Sequence, residues 1–147
     1  MTTGRPTCTM PATASWSVRL GVDAFGAVEP QIDKFLIDQT VDSRAAYVTR
    51  LVIEEIVRNL IEHTPPYASD EEVSVQIDVE SAVVRVVIED ARPPFNPVDA
   101  PRLEVDAPLG ARRAGGMGLH LVRNLTDELR YERDGDRNRL TAAVARG

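Results

Sequence analysis

The sequence predicts an α+β fold: a two-layer α/β sandwich, with a mostly antiparallel sheet and helices on one face. Three observations carry this. Two alternating apolar runs, "EVSVQIDVE" and "AVVRVVIED", meet at Glu80-Ser81, the pattern of a hairpin. A second hairpin, "LRYERDGDRNRLTAAVA", closes the chain with "DGDR" as its turn. Helical patterns interrupt the strands in the order β, α, α, β, β, loop, α, β, β, and hairpin-paired strands with helices to cover one face build two layers.

Taken in order, "WSVRLGVD" alternates and reads as a strand, with Val18, Leu20 and Val22 on one face. "VEPQIDKFLIDQT" places Ile32, Phe35, Leu36 and Gln39 at helical spacing, with Pro30 expected in the first turn. "DSRAAYVTRLVIEEIVRNLIEHT" reads as a long helix that Asp42 or Ser43 can cap and "TPPY" stops. Residues 91–116 hold five of the ten prolines and no regular period. A loop of about 25 residues inside a compact domain points to a functional lid. The glycines of "RAGGMGLHLVRNL" then open a helix expected to end near Glu128.

At 147 residues the chain is expected to form one domain over 16–147, preceded by a disordered tail over 1–15. That tail, "MTTGRPTCTMPATAS", lacks the apolar core of a signal peptide. A net charge of −6 argues against a nucleic-acid partner. Cys8 is alone and can form no internal disulfide, and no run approaches the length of a membrane span. A cytoplasmic protein without a membrane partner is the expectation.

Three places could carry chemistry. On the long helix, Glu55, Asn59 and His63 fall at i, i+4 and i+8 on a single stripe. A solvated helix edge would look the same; a metal–phosphate site would also use such a Glu and Asn. Asp90 ends a strand, where Asp commonly forms turns; inside a pocket its carboxylate would accept an exocyclic amine such as that of adenine. The glycine-rich helix entrance could bring backbone N–H groups to an anion. It lacks the Gly-Lys-Ser/Thr ending of a phosphate-binding P-loop, and no βαβ unit surrounds it.

These three segments, in this order, resemble the three boxes of the GHKL (Bergerat-type) ATP-binding superfamily of gyrase, histidine kinases and mismatch-repair ATPases. The chain is similar in particular to the small anti-sigma-factor serine-protein kinases. "EEIVRNLIEH" resembles the first box, "EDARPPFNP" the second and "GGMGLHLVRNLTDEL" the third, and the resemblance spans residues 18–144. It implies ATP and Mg2+ as cofactors. It also implies an anti-anti-sigma (antagonist) protein as substrate, a sigma factor as a further partner, and pairing into a homodimer.

Residue by residue, the resemblance makes Glu55 the general base and Asn59 the magnesium ligand. Asp90 becomes the reader of the adenine amine, Gly116 and Gly118 the phosphate cradle, and Thr141 a residue closing the adenine side. His63 receives no chemistry beyond a structural hydrogen bond. One departure stands out. The second box of the superfamily reads Asp-x-Gly-x-Gly, whereas here Ala91-Arg92-Pro93-Pro94 follows Asp90 and both glycines are replaced. Arg92 then stands at the pocket mouth, either to contact phosphate or to obstruct it. The expected function is an ATP-dependent serine-protein kinase and anti-sigma regulator in a bacterial partner-switching system. The alternative is a non-catalytic module of the same fold that sequesters a partner.

Overall fold

A computed structural model of the protein describes residues 11–21, 23–62, 71–96 and 116–147. The elements are β1 (Ala12–Arg19), α1 (Ala24–Asp38), α2 (Ser43–Glu62), β2 (Glu72–Val79), β3 (Val83–Asp90), α3 (Gly116–Leu125), β4 (Glu128–Asp134) and β5 (Arg137–Ala145). The strands form one five-stranded sheet in the order β1-β2-β3-β5-β4, with every neighbouring pair antiparallel. The expected α+β sandwich is therefore the observed architecture.

Pleat parity explains the layering. Val73, Val75, Ile77 and Val79 of β2 share a face with Val84, Val86 and Ile88 of β3 and with Leu140, Ala142 and Val144 of β5, and all are buried. Against this face α2 lays Val48, Val52, Ile53, Ile56, Val57 and Leu60, with Ile32 and Leu36 of α1 and Leu119 and Val122 of α3 completing the core. The hairpin turn at Gly135-Asp136 places Gly135 at φ 59, a left-handed conformation that glycine adopts without steric penalty. Asp42 caps α2 by accepting the Ala45 N–H at 3.1 Å.

Three expectations about the fold are corrected. The first strand begins at Ala12, so residues 12–15, expected in the tail, pair with β2 instead. Its inward row is Ala12, Ala14, Trp16 and Val18, and the small alanines hide the alternation. Trp16 packs edge-on against Phe35 of α1, with ring centroids 5.9 Å apart. Helix α1 begins at Ala24, which leaves Pro30 inside the helix on its exposed side. The buried series Ala24, Val28, Ile32 and Leu36 carries the helix through the Gly26 carbonyl that Pro30 leaves without its i+4 donor. Helix α3 ends at Leu125, and Glu128 already opens β4. Most of the expected lid, and His63, lie outside the described residues.

The chain end ties the two halves together. Arg146 donates to the carbonyls of Glu80 (2.8 Å), Gln39 (3.1 Å) and Thr40 (3.3 Å), bridging the α1–α2 and β2–β3 turns, while the Gly147 N–H reaches Asp42. Hydrogen bonds from Ala45 and Gly147 hold the Asp42 carboxyl below its ordinary value. Arg146→Ala should lower unfolding free energy by about 1–3 kcal/mol, the usual worth of charge-assisted hydrogen bonds. Urea denaturation checks this.

Candidate functional site

The site builds from α2 outward. Glu55 and Asn59 lie one turn apart and are 5% and 7% exposed, so the stripe is not a solvated helix edge. Glu55 Oε2 and Asn59 Nδ2 are buried without a hydrogen-bond partner. Such groups are costly in a finished core and point to a ligand or cation. Glu55 Oε1 accepts from Arg58 Nη1 at 3.2 Å. Burial pushes the Glu55 carboxyl above its ordinary value, partly opposed by the Arg58 charge.

Helix α3 meets this carboxylate from the other side. A Cβ added at Gly118 would run into the Glu55 carboxyl group, so the absence of a side chain there lets the α3 backbone approach Glu55. Gly116 opens the same helix. The first and third sequence boxes are thus brought into contact.

Asp90 is the last inward residue of β3, 4% exposed, and lies directly opposite Asn138 of β5. Its Oδ1 accepts from the Arg92 N–H at 3.0 Å and from Asn138 Nδ2 at 2.9 Å. A small cleft runs between α2 and the sheet. Ile56, Leu60, Ile88, Phe95 and Leu140 supply apolar walls, and Asp90, Asn138 and Tyr131 the polar end. Apolar walls with a single carboxylate suit a flat, amine-bearing base.

Two expected site residues are placed elsewhere. Thr141 is buried but pairs with Val87 and Arg130 on the opposite face of the sheet from Asp90, because a shift of one residue from Leu140 flips the side chain. It does not share the Asp90 face; Asn138, three residues earlier, is the β5 residue opposite Asp90. Arg92 turns its guanidinium into the protein, donating to the Leu60 carbonyl at 2.7 Å and pairing with Glu71 at 3.1 Å. It braces the end of α2 against the Asp90 loop. Asn138, Tyr131 and Phe95 are the site residues that motif reading misses. The signal for Asn138 was present: it is the one polar side chain in the inward row Asn138, Leu140, Ala142, Val144.

No helix among the described residues is long and apolar enough to cross a membrane. No curated protein matches the chain in sequence. The fold is similar to that of the RsbU and RsbW domains of Rv1364c from Mycobacterium tuberculosis, with a TM-score of 0.64 and 16% identity. That similarity covers 92% of this chain and 33% of the other, so the present chain spans about a third of that protein's length. With a buried Glu/Asn pair, a glycine-opened helix and a strand-end Asp on one antiparallel sheet, and with residues 26–144 matching the histidine kinase-like ATPase domain, the chain belongs to that family.

Proposed function

We propose that the protein is an ATP-dependent serine-protein kinase that acts as an anti-sigma regulatory factor in a bacterial partner-switching system. The observation that carries the catalytic part is the buried, half-unpartnered Glu55 carboxylate beneath the Gly118 backbone, one turn from Asn59. Family membership supports ATP, and the RsbW-like fold supports the regulatory setting.

The residues fit ATP with a divalent cation. Asp90 would accept the adenine amine, and Ile56, Ile88 and Leu140 would offer apolar walls to the ring. The N–H groups of α3 near Gly116 and Gly118 receive phosphate oxygens. Asn59 offers a neutral oxygen to magnesium. Among the described residues no group of three His, Cys, Asp or Glu could hold a metal by itself, so a bound cation would need phosphate and water as further ligands. Bound ATP supplies the transferable phosphoryl group. Glu55 takes the proton of the attacking serine hydroxyl, and its raised proton affinity brings it closer to the working pH of a base. Positioning and charge neutralisation do most of the remainder.

Transfer of labelled phosphate from ATP to a candidate antagonist protein tests the reading. Phosphoserine on that partner is expected. ATP binding without transfer would instead make the protein a non-catalytic module that sequesters its partner.

Gly118→Ala probes the contact between α2 and α3. Alanine gains about 1 kcal/mol of helix propensity, and overpacking costs about 1–3 kcal/mol. The obstructing atoms are the far end of the flexible Glu55 side chain, which can swing away. Thermal stability should therefore change little, while transfer falls by about 10²-fold because the base is displaced. Melting curves and transfer rates on the same preparation check both halves.

A further inference from the structure

The Asp90 loop carries Pro93 and Pro94, which lack N–H groups, and no glycine that could turn the chain freely. What holds it is the hairpin of β4 and β5. Asn138 Nδ2 lies 2.9 Å from Asp90 Oδ1, 3.2 Å from the Arg92 carbonyl and 3.1 Å from the Pro93 carbonyl. Asn138 Oδ1 accepts from the Tyr131 hydroxyl, from Arg133 Nη1 at 3.1 Å and, at the limit of range, from the Phe95 N–H at 3.5 Å. Arg133 Nη1 also donates to the Arg92 carbonyl at 2.7 Å.

Chemistry fixes the orientation of this amide. Every neighbour on its nitrogen side is a pure acceptor, and the guanidinium and backbone N–H on its oxygen side can only donate. A flip would set oxygen against a carboxylate and two carbonyls. Asn138 is 3% exposed, so no water relieves such a mismatch. Both hydrogen bonds that Asp90 makes with described residues fall on Oδ1, which leaves Oδ2 as the acceptor offered to the cleft.

We infer that Asn138 is a positioning residue that turns Asp90 Oδ2 toward the base and so sets selectivity for a purine bearing a 6-amino group. This rests on the nucleotide reading above. A 6-oxo purine presents a carbonyl to the same oxygen, acceptor against acceptor, and is rejected.

The test is calorimetry of the full chain with ATP and with inosine triphosphate, both with magnesium; the two differ at the purine 6-position and in the proton that the 6-oxo base carries on N1. Wild type should prefer ATP by about 10–100-fold. In Asn138→Ala the preference should collapse to within about 3-fold, with ATP losing more than the inosine analogue. Loss of both affinities by the same factor, with the ratio kept, would mean a merely structural role and overturn the inference. If Asn138→Ala melts below the assay temperature, Tyr131→Phe is read instead, since it deletes only the hydroxyl that fixes Asn138 Oδ1. An ATP preference reduced about 3-fold or more supports the inference, and an unchanged ratio overturns it. A wild type that binds neither nucleotide overturns the nucleotide reading itself, a result distinct from lost selectivity.

Discussion

Glu55→Gln is expected to bind ATP within about 3-fold of wild type while phosphoryl transfer falls by about 10²–10⁴-fold, the typical contribution of a positioned base. In the proposed mechanism the carboxylate acts on the attacking hydroxyl and not on the nucleotide, so binding and turnover should separate. Burial raises its proton affinity above the ordinary value of 4.5. Wild-type transfer should therefore decline as pH falls through that raised value, where the base becomes protonated. Stability moves the other way. A carboxyl that binds its proton more tightly in the folded state contributes stability that is fully present below the unfolded value and lost as pH rises through the folded one. At neutral pH the folded protein carries the cost of an ionised, buried acid. Glu55→Gln removes it and should raise unfolding free energy by on the order of 1 kcal/mol, a gain of the kind active-site replacements give. Transfer kinetics from pH 5 to 8, with denaturant melts of both proteins, check the two signs together.

Asn59→Ala should fail differently. Asn59 Nδ2 is buried without a partner, so truncation removes an unsatisfied polar group and costs little stability. Without its cation ligand, however, the protein should lose about 10–100-fold in ATP affinity measured with magnesium, and transfer should become undetectable. In the absence of magnesium the two proteins should bind ATP alike. An Asn59→Ala protein with unchanged magnesium dependence would remove Asn59 from the metal site.

Much of this was legible in the chain because the decisive signals are local. The α2 pattern, the β2–β3 hairpin and the Gly-Asp turn of the last hairpin each sit within a single window, and each element formed where its period placed it. The early start of β1 was hidden because Ala12 and Ala14 bury little surface and mimic a low-complexity tail. Pro30 misled because a strong apolar series can outweigh one lost hydrogen bond. The burial of Glu55, Asn59 and Asp90 follows from motif spacing on one helix and at one strand end, which survives folding unchanged. Thr141 and Asn138 exchange places because which face a β5 residue presents depends on its register with β3, 48 residues away for the Asp90–Asn138 pair. The hairpin turn fixes the β4–β5 register, and parity with Leu140 then turns Asn138 inward. Only the long-range β3–β5 pairing sets it opposite Asp90. Arg92 misled for a similar reason: nothing local shows that the end of α2 and Glu71 stand ready to take its charge.

The most direct test of the account is calorimetry of the full chain with ATP, with and without magnesium, beside Asp90→Asn. Replacing that carboxylate removes the acceptor for the adenine amine and should weaken binding by about 1–3 kcal/mol. The account predicts one saturable, magnesium-enhanced site per chain in the wild type and the corresponding loss in Asp90→Asn. Equal ATP affinity in the two proteins, or no heat of binding in the wild type, would contradict it.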